Sequence, residues 1–118
     1  MVRLRVLVCG GRNYDDSRQV ERVLMALQAT SGIGMIIEGG AMGADALAAL
    51  WAAEHEITLR CFPAEWGKYG RGAGPIRNQQ MIDEGRPELV VAFPGGRGTA
   101  NMVALAREIG RASCRERV

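Results

Sequence analysis

Three short apolar runs in this chain end in glycine pairs, and that pattern constrains the fold more than any other feature. Gly10-Gly11-Arg12 follows Leu4–Cys9, Gly39-Gly40-Ala41-Met42-Gly43 follows Met35–Ile37, and Gly95-Gly96-Arg97-Gly98-Thr99 follows Leu89–Phe93 after Pro94. A stretch with helical character lies after each. Asp16 and Gln19 have capping-box spacing, and Val20, Val23, Leu24 and Leu27 recur at i, i+3, i+4 and i+7 until Gly32. Ala44 to Glu54 is alanine-rich, with Leu47, Leu50 and Trp51 expected on one face. Met102, Leu105, Ala106 and Ile109 mark the last helix. A further run, Ile57 to Phe62, alternates as an edge strand does, and Pro75 opens a helix from Ile76 to Glu84 after a glycine-rich loop, Pro63 to Gly74. Strands alternating with helices imply right-handed crossovers and a mostly parallel sheet covered on both faces. The expected fold is a three-layer, Rossmann-like α/β domain with strand order 3-2-1-4.

The 118 residues suffice for one domain, at residues 1–110, and residues 111–118 read as a basic tail, non-native or left by truncation. That tail has neither an apolar face nor strand-like alternation. The final strand of the sheet is therefore expected to be missing, which leaves Leu89–Phe93 as an apolar edge prone to self-association into a homo-oligomer. The tail also accounts for the net charge of +2: without Arg111, Arg115, Arg117 and Glu116 the rest of the chain balances. Basicity is thus no argument for nucleic-acid binding. No apolar run reaches the ~20 residues that cross a bilayer, so no membrane partner is expected. Three cysteines form no disulfide framework, and a cytoplasmic location is the default expectation. One histidine without paired cysteines gives no zinc set, and no metal is expected.

In open parallel sheets, ligands bind at the carboxyl ends of the strands, near the point where strand order reverses. Glycines there let the backbone approach a ligand, and the helix that follows offers unpaired N–H groups to an anion. A single such turn is more often structural. Three together, with Arg12 and Arg97, favour a phosphate or nucleotide pocket. The common nucleotide signatures are missing: no G-x-x-x-x-G-K-[ST] loop contains the single lysine, Lys68, and no G-x-G-x-x-G follows the first strand.

Five motifs in order resemble the YspA, cpYpsA-related branch of the SLOG superfamily. They are Gly10 to Asp15, Glu38 to Asp45, Phe62 to Trp66, Ala73 to Asn78 and Phe93 to Ala100, within a match from about Leu4 to Gly110. The superfamily includes the cytokinin-activating LOG phosphoribohydrolases and the DNA-processing protein DprA. The resemblance implies a Rossmann-like fold and a nucleotide-derived ligand, without naming a reaction. LOG enzymes open one helix with an arginine-lysine pair and another with P-G-G-x-G-T-x-E-E. Here Arg77 matches the arginine, Asn78 replaces the lysine, and Pro94, Gly95, Gly96, Gly98 and Thr99 are kept. Asn101 and Met102 stand where the glutamates would be. An amide can hydrogen-bond a sugar hydroxyl but cannot stabilise an oxocarbenium-like centre as a carboxylate does.

The expected ligand site therefore comprises Gly10, Gly11, Arg12, Gly39, Gly40, Gly43, Asp45, Arg77, Asn78, Gly95, Gly96, Arg97, Gly98, Thr99 and Asn101. Thr99 is equally suited to capping the last helix; for Arg77, a phosphate clamp is favoured over a surface ion pair with Asp83 or Glu84, because it opens a helix beside a glycine-rich loop. Asp45 suits a ribose hydroxyl or the turn before it. Glu38 is a candidate base without an evident partner acid, and Arg77, Glu38 and Asp45 are weak catalytic candidates. Tyr14, Trp66 and Tyr69 are candidates for stacking a base. His55 reads as a solvent-facing helix end and Cys9 as a core residue. The leading functional expectation is a small binding domain that senses a nucleotide-derived ligand, as a sensor or as part of a defence or phage-encoded system. An N-glycoside hydrolase acting on nucleoside monophosphates would have to use Glu38, Asp45 or Glu65. A DprA-like nucleic-acid binder is disfavoured by the absence of a basic stripe.

Overall fold

The computed structural model describes residues 3–109 and 116–117. Strands β1 (Leu4–Cys9), β2 (Ile33–Glu38), β3 (Thr58–Cys61), β4 (Leu89–Ala92) and β5 (Glu116–Arg117) form one sheet in the order β3-β2-β1-β4-β5. Every pairing is parallel, with Val6 opposite Ile36 on one side and Leu89 on the other. The expected Rossmann-like order 3-2-1-4 is present.

Alternation along the central strands divides the core into two layers. Val6, Val8 and Val91 face helices α1 (Ser17–Thr30) and α2 (Ala44–Glu54), where Val20, Leu24, Ala48 and Trp51 meet them. Leu7, Val90 and Ala92 face the other way, onto Met81, Ile82, Met102 and Ala106. That second layer comes from α4 (Ala73–Gln80), a π turn at Met81–Gly85, and α5 (Arg97–Ile109). Burying one such aliphatic side chain contributes about 1.5–3 kcal/mol, so β1 and β4, with Val6, Leu7, Val8, Val90 and Val91 all fully enclosed, anchor the domain.

Helix α1 begins where its cap requires. Asp16 accepts a hydrogen bond from the Gln19 N–H at 3.0 Å. The reciprocal half of the box does not form, because the Gln19 side chain accepts from Arg22 instead. Helix α2 meets the sheet through Ala44, Ala48 and Ala52, small residues that allow close approach, together with the buried Trp51, and Leu50 points to solvent at 58% exposure. Of the expected Leu47–Leu50–Trp51 face, Trp51 and Leu47 pack on the core and Leu50 is the one corrected, its place on the inward side being taken by alanines. His55 is not solvent-facing either; it is half-buried and its ring stacks on Trp51 at 4.5 Å.

Three further boundaries differ from the sequence reading. The loop Pro63 to Gly74 contains a one-turn helix, α3 (Trp66–Tyr69), and a 3-10 turn at Gly70–Gly72. Helix α4 starts at Ala73, so Pro75 sits in the first turn, where its missing N–H has no intrahelical partner to lose. The sheet does not end at β4. Glu116 and Arg117 pair with Val91 and Ala92 through the main chain, which needs no apolar pattern in the added strand. The expectation of a missing last strand is corrected, and β5 covers the β4 edge at Val91 and Ala92. The rest of the tail and Gly110 lie outside the described residues.

Gly43 is where the fold is least tolerant of a side chain. Its φ is +76°, and a Cβ there would collide with the carbonyl oxygen of Gly11. No rotamer relieves a main-chain clash. Gly43→Ala is expected to cost about 2–4 kcal/mol of unfolding free energy, read as a lower urea midpoint at unchanged m-value.

Candidate functional site

The carboxyl ends of β1, β2 and β4 meet at the starts of α2, α4 and α5. A crevice of ≈ 330 Å³ lies there, floored by Gly10 and Gly11 and walled by Asp45, Arg77, Asn78 and the Gly96–Thr99 turn, with Arg12 and Trp66 at the side. Most of the sequence-derived site residues therefore converge. Gly43, Gly95 and Asn101 do not line this crevice, and Gly39 and Gly40 border a neighbouring hollow instead. Tyr14 packs its ring on Phe93 at 5.2 Å as part of the core margin, and Tyr69 faces a separate groove. Burial beside Asp16 and Asp15 raises the Tyr14 hydroxyl above its ordinary value, burial being the largest cause.

Each wall residue is held by identifiable bonds. Asn78 is 3% exposed; its amide N–H groups donate to Gly98 O at 3.0 Å and Asn101 Oδ1 at 2.9 Å. Asn78 thus ties α4 to the start of α5, and Asn101 braces that tie. Met102 is fully buried against the sheet, so its position faces away from the crevice. Arg77 donates from Nε to Asn78 Oδ1 at 3.0 Å and from Nη1 to Gly39 O. The ion pair to Asp83 or Glu84 is not made: Glu84 pairs with Arg60, and Asp83 accepts from Gln79. A guanidinium has five N–H donors, and two are used, leaving three without a protein partner among the described residues. Thr99 is buried at the base of the α5 turn, with Gly95 directly against its hydroxyl.

Behind the Gly39–Gly40 turn sit two buried carboxylates. Glu38 accepts from the Gly40 N–H at 2.6 Å. Asp45 Oδ2 accepts from the Gly39 and Ala41 N–H groups, both at 3.2 Å. Desolvation pushes the Asp45 carboxyl up to about 6, with the Ala41 N–H opposing it, Glu38 adding to it and Arg77 lowering it. The Cys61 thiol beside Glu38 is pushed up to about 11, by burial first and then by its hydrogen bond to that carboxylate. It is a poor nucleophile at neutral pH. Asp45 holds the turn before it, one of the two roles its position suggested, whereas the part of Glu38 as a turn anchor was not apparent from spacing, because the N–H group it holds carries no side-chain signature. Asn78 was identified as a site residue, but its bracing function depends on a contact 20 residues away. Among the described residues, no group of three or more His, Cys, Asp or Glu side chains could hold a metal ion, and no helix is long and apolar enough to cross a membrane.

The raised Asp45 carboxyl has a defined effect on stability. An acid with a higher pKa when folded binds its proton more tightly in the native state, so its contribution is greatest below pH 4. It is lost as pH rises from about 4 through 6. The difference between wild type and Asp45→Asn should therefore change by roughly 2 kcal/mol across pH 4 to 7, in the direction of relative wild-type loss at pH 7. Urea denaturation of both proteins at several pH values measures it, and parallel profiles would refute it.

Comparison with known proteins bears on the same region. A family model described as the YspA, cpYpsA-related SLOG family matches residues 4–69, which span β1 through α3 and include the first two glycine turns and Trp66. The Gene 61 protein of Mycobacterium phage D29 is 33% identical over 114 residues, covering 90% of each chain. No solved structure matches the chain. With a parallel 3-2-1-4 sheet, glycine turns gathered at its carboxyl end and a family match over more than half its length, the chain belongs to the YspA, cpYpsA-related SLOG family.

Proposed function

We propose that this domain binds the phosphate end of a nucleotide-type ligand in the crevice between the starts of α4 and α5, as a sensing rather than a catalytic module. The observation that carries the reading is a pair of glycines the fold does not require. A Cβ on Gly96 or Gly98 would meet nothing within 4 Å, and neither has a positive φ. Both border the crevice, at the N-terminal turn of a helix whose first turn contains no acidic residue and does contain Arg97. A cation there opposes the helix dipole by about 0.3–1 kcal/mol, which a bound anion would offset. Arg77, fixed at two of its donors and open at three, faces the same space.

A hydrolytic role has weaker support. Asp45 is the one carboxylate bordering the crevice among the described residues, and its Oδ2 is engaged with two N–H groups of the turn. Base release from AMP is accordingly expected to be slower than ~1 per second, by chromatographic assay of free adenine.

The binding reading is tested by thermal melting with inorganic phosphate, pyrophosphate, AMP and ADP-ribose. A ligand at a hundredfold excess over its dissociation constant should add ~2.7 kcal/mol of stability. Gly98→Ala is expected to preserve or raise the unliganded melting temperature, since alanine favours a helix by about 1 kcal/mol, while reducing the ligand shift. Arg77→Ala should also reduce it. If none of the four compounds raises the wild-type melting temperature, the reading fails.

A further inference from the structure

The crevice described above has a neighbour. A second hollow of ≈ 280 Å³ opens beside the Gly39–Met42 turn and is bordered by Met42, Pro63, Ala64 and Trp66. Arg12, Ala41, Trp66 and Arg77 border both hollows, so these four residues form the boundary between them. The two differ in chemistry. The first has Asp45, Asn78, Arg97 and Thr99 around it and a helix start at one end. The second has no acidic side chain at its border and presents apolar surface from Met42, 75% exposed, and Trp66, 47% exposed. Ligand pockets usually enclose about 300–1,000 Å³. The first hollow lies just above the floor of that range and the second just below it, and the pair falls well inside it.

Building on the phosphate reading, we propose that the second hollow receives the base of a nucleoside diphosphate whose terminal phosphate lies against the Gly96–Thr99 turn. Three observations support this assignment. Two guanidiniums, Arg12 and Arg77, stand at the boundary, where a ligand spanning both hollows would carry its second phosphate. The Arg12 guanidinium lies over one face of the Trp66 ring at 5.2 Å, a cation-aromatic stack at the boundary that a base would extend. Pro63, Ala64 and Met42 supply apolar surface that a phosphate alone cannot use, whereas a base can.

The test is isothermal titration of the full chain with pyrophosphate and with ADP, GDP, CDP and UDP. At least one nucleoside diphosphate is expected to bind roughly tenfold or more tightly than pyrophosphate, because stacking a base on an aromatic ring contributes about 1–3 kcal/mol. Trp66→Ala, which removes the ring, and Ala64→Leu, which fills the hollow, should each bring the ratio of nucleoside diphosphate to pyrophosphate affinity towards one. Circular dichroism checks that both variants remain folded. If pyrophosphate binds as tightly as all four nucleoside diphosphates, or if both folded variants keep the wild-type ratio, the second hollow is not a base site and the phosphate reading stands alone. If neither pyrophosphate nor any nucleoside diphosphate binds, both readings fall together.

Discussion

The main chain of Gly11 is wedged between two other turns, and the geometry of the site follows from that contact. Its N–H donates to Pro94 O at 2.8 Å, and its carbonyl accepts from Tyr14 and Ala44, each at 3.2 Å. A Cβ on Gly10 would come within 2.6 Å of the Ala44 Cβ, and one on Gly95 within 2.7 Å of the Gly11 nitrogen. The turns after β1, β2 and β4 are therefore packed backbone against backbone, at a distance that side chains would prevent. Bringing three strand ends this close places the starts of two helices on one small area. The remaining space lies outside the contact, towards α4, and that space is the crevice.

This packing divides the glycines into two kinds. Gly10, Gly11, Gly43 and Gly95 are accounted for by neighbouring protein atoms, whereas Gly96 and Gly98 are not. Gly96 and Gly98 are exposed, and no neighbouring atom dictates a glycine at either; what sets them apart is their place at a helix start on the border of the crevice. The sequence pattern alone treats all six alike. A doublet after an apolar run reports that a tight turn is present, but not whether the freedom it provides is used by the fold or left for a ligand.

The same distinction separates what was legible in the sequence from what was not. The sheet order was legible because buried strands are continuous apolar runs of Val, Ile and Leu, and because Thr58–Cys61 is exposed along its length, as an edge strand is. The capped start of α1 was legible because a cap is local. The π turn at Met81–Gly85 was not. It follows from tertiary fit: Met81 and Ile82 are both buried, and a Cβ on Gly85 would press on Ile37 at 3.1 Å. Strand β5 was missed because its pairing is carried by backbone atoms, which every residue has. In the site, Arg77 was legible as a cation at a helix start beside glycines, while the bonds that aim it at Gly39 and Asn78 required the fold.

Those bonds bear on how an anion would be held. A free arginine side chain carries about 2 kcal/mol of rotamer entropy, which a ligand must offset if it orders the chain on binding. Here much of that ordering is already part of the folded state, since Nε is anchored on Asn78 and Nη1 on the Gly39 carbonyl. The anchor on Gly39 depends in turn on the position of the Gly39–Ala41 turn, which Asp45 and Glu38 hold from behind through three backbone N–H groups. Placing two carboxylates behind the turn opposes burial, as the raised Asp45 carboxyl records. Their negative charge also lowers the cost of keeping a guanidinium in a partly dehydrated cleft. The glycine at position 39 completes the arrangement, because a side chain there would occupy the place of the Arg77 guanidinium itself. Turn, carboxylates and arginine thus form one unit, and the cation's orientation depends on backbone geometry more than on any ion pair.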